Sequence, residues 1–573
     1  MSASDNPELG SGPTVESTES SAIGSLPPRG RTGGGESNKV AETIDHPHPT
    51  LPPLGEGAGK SDAKLDSTLL EACGPEPQSE QVLEVGGRLA HGPSERLIRT
   101  AFKRELDDQA VLFDAMGLAD LAHTLVMLET SIVPPAAGRQ LLTALLELQR
   151  VPEDFKPQPA RGDLYTNREA WLAGRSSAAS WLGAGRARRE ATTTAFLIKV
   201  RSGLLDLAEA LTIAAQAIAA RAGAFRSALM PDYTYLQAAQ PTSFGHYLLG
   251  FVYPMLRDLE RIRALYGRVN RSPAGCGSSN GSRLPQDRAR LSELLGFDGL
   301  VTHARDAMWQ ADLPIETAAA LTAILVNLDR LAEDLQIFST EEFGLVELDD
   351  RHARASKIMP QKKNPYALTH VRGAANAMIG TLAAVAAAGR TPSGQPDNRL
   401  GIYGAIPRAI EDSRDAAALL GEVVTFLTFH EPRGRELLAQ GCATATDLAE
   451  VLVQHSGLDF RQAHRLVGHL VRRKRAGGGL NGLTPPELAA TALDVLGLRV
   501  EIPPAILQDA LDPAAAVAAR TAPGGAAAEP MEAMLAQCEQ ALALAGAWAD
   551  ACRRRLRAAE ESVVQTARQA TQA

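Results

Sequence analysis

Aromatic residues are scarce in this chain, at 4% of 573 residues, and runs of β-branched residues are short. Both shortages argue against a sheet-based core, because pleated surfaces favour aromatic and β-branched side chains. Cysteine is also sparse: Cys73, Cys276, Cys442, Cys538 and Cys552 form no CxxC pair, and none has a histidine at metal-ligand spacing. That scatter excludes a disulfide framework and a cysteine-based metal centre. It suits thiols in a reducing compartment, so a cytoplasmic protein is expected. No unbroken run of about eighteen apolar residues is present, so no membrane span is expected. Met1 to Gly10 lack a basic start followed by an apolar stretch, so no signal peptide is expected. The formal net charge of −9 is mild for this length and argues against nucleic acid as the main partner. The basic run Arg472-Arg473-Lys474-Arg475 reads as a solvated helix end.

Residues 1–80 are rich in Gly, Ser, Pro and Glu and carry no apolar period. Such a segment cannot bury enough surface to offset its chain entropy, so a disordered tail is expected, with order beginning near Val85. Beyond it, apolar residues recur at steps of three and four, which keeps one stripe along a helix face. One stretch holds Leu197, Val200, Leu204, Ala208, Leu211, Ala215 and Ile218. A second holds Leu321, Leu325, Leu328, Leu331, Leu335 and Phe338, and a third Leu368, Val371, Ala375, Met378, Leu382 and Val385. Pro314 and Pro365 stand at the starts of the last two, where proline is tolerated, and Gly389 closes the third. Helices of this length exceed the usual ~11–12 residues, so an all-α fold with a long bundle that continues into other subunits is expected. A further helical region spans 441–570, interrupted by the irregular Thr521-Ala522-Pro523-Gly524-Gly525.

The interval from Glu341 to Pro365 carries the chemistry. About twenty aperiodic residues separate two helices there and bring together a serine, three lysines, a glutamine and an asparagine. They lie just before a helix N-terminus, where unpaired N–H groups and the helix dipole favour anions. A substrate carboxylate or a developing oxyanion fits that place; a solvated lysine loop is the plainer reading.

The string Ala355-Ser356-Lys357-Ile358-Met359-Pro360-Gln361-Lys362-Lys363-Asn364-Pro365 resembles the signature of the fumarase/aspartase superfamily, in its argininosuccinate lyase branch. The likeness extends, in order, over roughly residues 81–550. It includes Gly86-Gly87-Arg88, the stretch Asp163 to Leu172, Pro231 to Pro241, Gly275 to Gly296, Ala443 to Leu448 and Leu511 to Gly525. The resemblance implies a three-domain fold, with an N-terminal helical domain over 81–187, a central long-helix bundle over 188–430 and a C-terminal helical domain over 431–573. It implies a homotetramer whose sites draw on several subunits, with no metal or organic cofactor. Its chemistry is an anti elimination from a succinylated small molecule: a base removes a proton beside a carboxylate, the nitrogen leaves, and fumarate is released. By the same resemblance Ser356 is the base, and Lys362 and Asn364 hold carboxylates. Thr234 and Gln240 touch the substrate, and Arg188 anchors a carboxylate with its guanidinium fork.

Several positions depart from the family pattern. Tyr235 stands where the family has a histidine that manages protons. A phenol with a reference pKa near ~10 suits that task poorly, and Tyr235 either donates a hydrogen bond or simply packs. Ala187 and Arg189 replace a serine and an asparagine. Arg189 either pairs with Glu190 or Glu169 or adds a cation for a more acidic substrate. His303 replaces an asparagine, in a structural or a substrate-binding role. The segment that reads the guanidino group is replaced around Gly394-Gln395-Pro396-Asp397. The succinyl side is thus kept and the guanidino side changed, which predicts a succinyl-amine or succinyl-amidine lyase acting on something other than argininosuccinate. A plain argininosuccinate lyase and a catalytically silent helical oligomer are the competing readings.

Overall fold

Each of the three periodic stripes becomes one long helix. The computed structural model describes residues 88–89, 91–394, 400–474 and 479–572; the expected disordered tail, the expected start near Val85, and Gly86-Gly87 lie outside the described residues. Helical turns from Glu95 lead into α1 (Phe113–Glu129), followed by α2 (Pro135–Arg150) and α3 (Leu164–Ala173). Helix α4 (Arg188–Ala224) runs 37 residues and buries the whole first stripe, from Leu197 to Ile218. The antiparallel pair β1 (Leu229–Thr234) and β2 (Gln237–Ser243) then leads into α5 (Phe244–Val269). The short α6 (Ala304–Trp309) precedes α7 (Asp312–Phe338), which buries the whole second stripe.

Three two-residue strands come next, β3 (Val346–Glu347), then β4 (Arg354–Ala355) and β5 (Lys363–Asn364), the last two framing the serine loop, and α8 (Tyr366–Gly389) follows. Helix α8 buries five of the six residues of the third stripe; Leu382 is half-buried against the same core. Helix α9 (Ile402–Phe426) and β6 (Thr428–Phe429) complete the central part, with β3 paired to β6 and β4 to β5. The last elements used below are α10 (Ala445–Ser456), α11 (Phe460–Lys474), α12 (Pro485–Leu496), α13 (Pro504–Leu511) and α14 (Ala528–Gln572).

One apolar core joins α1, α2, α4, α5, α7, α8 and α9, and its last members, Met531 to Ala567, come from α14. Each fully buried leucine in it contributes roughly 1.5–3 kcal/mol by leaving water. A separate, smaller core gathers Leu448, Leu452, Leu466, Leu488 and Leu507 from α10 to α13. Two long helices escaped the periodicity reading because each contains a proline, Pro254 in α5 and Pro407 in α9. An internal proline removes one backbone hydrogen bond, but burial on the bundle face outweighs that loss.

By length and composition alone three helices among the described residues could cross a bilayer: Glu95–Glu129, Arg188–Ala224 and Tyr366–Gly389. None is an unbroken apolar run: Asp114, Asp120 and His123 interrupt the first and Asp206 and Glu209 the second. The first two bury 72% and 50% of their apolar window inside the protein, whereas α8 buries only 22%.

Candidate active site

The predicted site residues lie on three separate segments. The first is the hairpin β4–β5, in which Arg354 faces Asn364 and Ala355 faces Lys363. Asn364 Nδ2 donates to the Arg354 carbonyl at 2.8 Å and braces the hairpin base. Ser356 begins the loop between the strands. Its backbone N–H donates to the Lys362 carbonyl at 3.2 Å, and its Oγ accepts the Met359 N–H at 3.1 Å. A donor aimed at a hydroxyl oxygen favours the deprotonated form, which a serine base requires. Lys363 is bound to Asp350 at 2.7 Å and Glu347 at 3.0 Å, so it serves the loop's anchorage. Lys357 and Lys362 face solvent, as do Ile358 and Met359. Helix α8 starts directly after Pro365 with no side-chain cap, which leaves its first N–H groups open toward this loop.

The second segment is the hairpin β1–β2. Thr234 pairs with Gln237, so Tyr235-Leu236 is a two-residue turn, with φ of 53° and 57°. Both bulky residues therefore adopt the left-handed region, at a cost of about 1–2 kcal/mol each. Tyr235 is 99% exposed, so the reading in which it simply packs within its own chain is set aside. Thr234 and Gln240 are exposed on the same hairpin. The hairpin base is fixed by Tyr233, whose ring meets those of Phe338 and Phe343 at 5.6 and 5.3 Å.

The third segment is the start of α4. Asp163 caps α3, its Oδ1 accepting the Thr166 N–H at 2.9 Å. Its Oδ2 faces Arg188 Nε at 3.3 Å and Arg189 Nη1 at 3.8 Å. Arg189 Nη1 also donates to Glu105 Oε1 at 2.7 Å. The expected pairing of Arg189 with Glu190 or Glu169 is therefore corrected: among the described residues it pairs with Glu105 and Asp163. Glu190 turns the other way and accepts the Gly275 and Gly277 N–H groups at 2.6 Å each. Burial pushes its carboxyl up to about 7, against the pull of Arg186 and the two glycine donors. Gly275 and Gly277 have φ of 75° and 64°, a conformation open to glycine that turns both N–H groups onto one carboxylate. Beneath this, fully buried Asp120 binds Arg168 at 2.9 Å and Arg186 at 2.5 Å, tying the residue before Ala187 to α3. Glu105, Asp120 and Glu190 are supports that spacing alone could not reveal, because their partners lie 48 to 87 residues away.

His303 occupies the N-cap of α6 without a side-chain cap; its carbonyl accepts the Ala307 N–H at 2.9 Å and its ring is exposed. Of the replaced guanidino-reading segment, only Gly394 is among the described residues. Among those residues no group of three or more His, Cys, Asp or Glu could hold a metal ion.

Comparison with known proteins bears on the family and the fold. The family described as lyase matches residues 166–380, and the family described as argininosuccinate lyase C-terminal matches residues 442–518. The chain is 31% identical over 463 residues to an argininosuccinate lyase of Methanococcoides burtonii, spanning 80% of this chain and 92% of that one. It is 34% identical over 485 residues to an argininosuccinate lyase of Corynebacterium glutamicum, spanning 82% and 98%. Among solved structures, EDDS lyase in complex with formate superimposes with a TM-score of 0.76 at 28% identity, covering 85% of this chain and 98% of that one. A fumarate lyase from Mesorhizobium sp. BNC1, at 19% identity and a TM-score of 0.60, shares the fold. With an all-α fumarase/aspartase-like fold and these relatives, the chain is a carbon–nitrogen lyase and belongs to the argininosuccinate lyase family of the fumarase/aspartase superfamily.

Proposed function

We propose that this lyase releases fumarate by anti elimination from a succinyl-amine or succinyl-amidine other than argininosuccinate. The observation that carries this reading is Ser356 Oγ receiving a backbone N–H, in a loop with two solvent-facing lysines ahead of an open helix N-terminus. Ser356, as alkoxide, removes the proton from the carbon beside one carboxylate. The C–N electron pair leaves with the nitrogen as the C=C bond forms. Lys362 and the start of α8 stabilise both the alkoxide and the extra charge on the aci-carboxylate. Closure of the loop excludes water. Asn364, Thr234, Gln240 and Arg188 position the carboxylates, with Arg189 and His303 at the margin of the same site. Tyr235 replaces the family histidine, so the nitrogen leaves already protonated or as a stable anion. A solved EDDS lyase variant with bound fumarate, 27% identical with a TM-score of 0.76, supports the product assignment.

Three segments far apart in sequence fit a homotetramer in which one site borrows residues from neighbouring copies. The exposed turn at Tyr235 and the thinly covered face of α8 support that assembly. A cytoplasmic location accords with the buried thiols of Cys276, Cys538 and Cys552.

Fumarate release is measured across a panel of succinylated amines and amidines. Ser356→Ala lowers turnover by about 10²–10⁴-fold while assembly is unchanged; activity that survives the change removes the serine from its role. A second reading, argininosuccinate lyase itself, is favoured by the relatives' identity of 31–34%. Rescue of an arginine auxotroph, or efficient turnover of argininosuccinate, would establish it and sink the first. A chain that assembles but releases no fumarate from any candidate is instead the silent oligomer.

A further inference from the structure

The serine loop is bracketed by two buried residues. No residue from Ala353 to Tyr366 is buried, whereas His352 before them and Ala367 after them are. His352 ends the single helical turn Asp350–His352, from which β4 leaves, and is 5% exposed. Its Nε2 lies 3.3 Å from Glu422 Oε1 on α9, yet neither ring nitrogen has an aligned hydrogen bond among the described residues. Burying an imidazole in that way costs free energy, and a phenyl ring of nearly the same shape would fill the space without the cost. We infer that His352 is a positioning residue for Ser356, fastening the root of the serine loop to α9 through Glu422. The inference rests on the serine-base reading above and deepens it.

The two roots of the loop are held differently. On the outgoing side Lys363 pairs with Asp350 and Glu347, and Ala367 enters the core. On the incoming side both residues of β4 are exposed. The ladder between β4 and β5 is two residue pairs long, too short to hold a hairpin by itself. The incoming root therefore depends on His352. Only three residues separate it from Ser356, so a shift at the root reaches the serine before the chain can absorb it. Few groups face the imidazole. From α9 come Glu422 and the Phe426 ring, the latter at 6.2 Å between centroids. From its own turn come Arg351 and Asp349, which bind each other at 2.8 Å. Arg351 also lies over Phe426 at 4.1 Å. Asp349 is thus matched by its neighbour, which leaves Glu422 as the carboxylate for His352.

The test compares His352→Phe, Glu422→Gln and the double variant, each as the full-length protein. Fumarate release is measured with the fastest compound of the panel above, argininosuccinate included. Hydrogen exchange read by mass spectrometry over residues 353–365 reports how firmly the loop is held, and thermal melting reports stability. His352→Phe is expected to lower kcat about 10–100-fold. KM should change by less than about 2-fold, because the contacts assigned to Arg188, Thr234 and Gln240 lie on other segments. Glu422→Gln should lower kcat about 3–5-fold, and the double variant should be no slower than His352→Phe, since both remove one contact. Loop exchange should quicken in all three while the melting temperature holds or rises. A melting temperature that falls in step with kcat makes His352 a prop of the fold and overturns the inference. So do unchanged loop exchange, or effects on kcat that simply multiply. If His352→Phe does not fold, Glu422→Gln, at a half-exposed side chain, decides by kcat and loop exchange. Faster loop exchange with kcat unchanged, or with no fumarate release from any compound, upholds the anchor and overturns the serine-base reading instead.

Discussion

At Glu190 a buried carboxylate holds two glycine N–H groups while its burial favours the protonated form. Its folded value of about 7 stands above the ordinary 4.5, so between these values the folded chain binds more protons than the unfolded one. Stability from this group is therefore fully present below pH 4.5 and is lost as pH rises to about 7. The Glu190→Gln variant lacks that titration. The melting temperature of the unaltered chain minus that of the variant is expected to fall across this window; parallel curves would show that Glu190 does not titrate there. The serine loop was legible in the sequence because its string is contiguous and its chemistry is dense. The partners of Arg189 were not, because Glu105 reaches it only after folding, 84 residues away in the chain. Glu190 looked nearer, but on a helix an adjacent residue points to a different side.

Among the elements, the hairpin β1–β2 pays most clearly for its shape. Tight turns with both central residues in the left-handed region strongly favour Asn-Gly, yet this one carries Tyr235-Leu236. Replacing the pair by Asn-Gly is expected to raise stability by about 1–2 kcal/mol, measured by denaturant unfolding. Turnover should fall with the same change if the exposed tyrosine completes a site in a neighbouring copy. Undiminished turnover would mean that the turn's strain serves something other than catalysis. The helices themselves divided cleanly. Uninterrupted stripes marked α4, α7 and α8, whereas Pro254 and Pro407 hid α5 and α9. A local rule about proline gave way there to tertiary burial.

For the molecule as a whole, the thin cover on α8 sets a prediction about assembly. Ile379 is 52% exposed on a face that also exposes Gly373, Ala377, Gly380, Ala383 and Ala384. Such small side chains let another helix approach closely. Ile379→Arg is expected to shift the protein to smaller species in light scattering, with its helical circular dichroism kept. An unchanged mass would place the assembly surface elsewhere. The all-α class and the long bundle were readable from stripe length and from the shortage of aromatics. The arrangement of cores was not: residues 431–573 looked like one C-terminal region, yet the buried face of α14 belongs with α1, α2, α4 and α5. Its stripe could not announce that, because periodicity reports which side is buried and never against what. The order has a consequence during synthesis. Everything in the second core, Leu448 to Leu511, emerges from the ribosome before Met531 to Ala567, which seal the first. At about 5–20 residues per second, the large core stays open for several seconds while the smaller one can already close. The nascent bundle thus passes through an interval with a bare apolar seam, and a stalled ribosome between the two cores would leave that seam for a chaperone to cover.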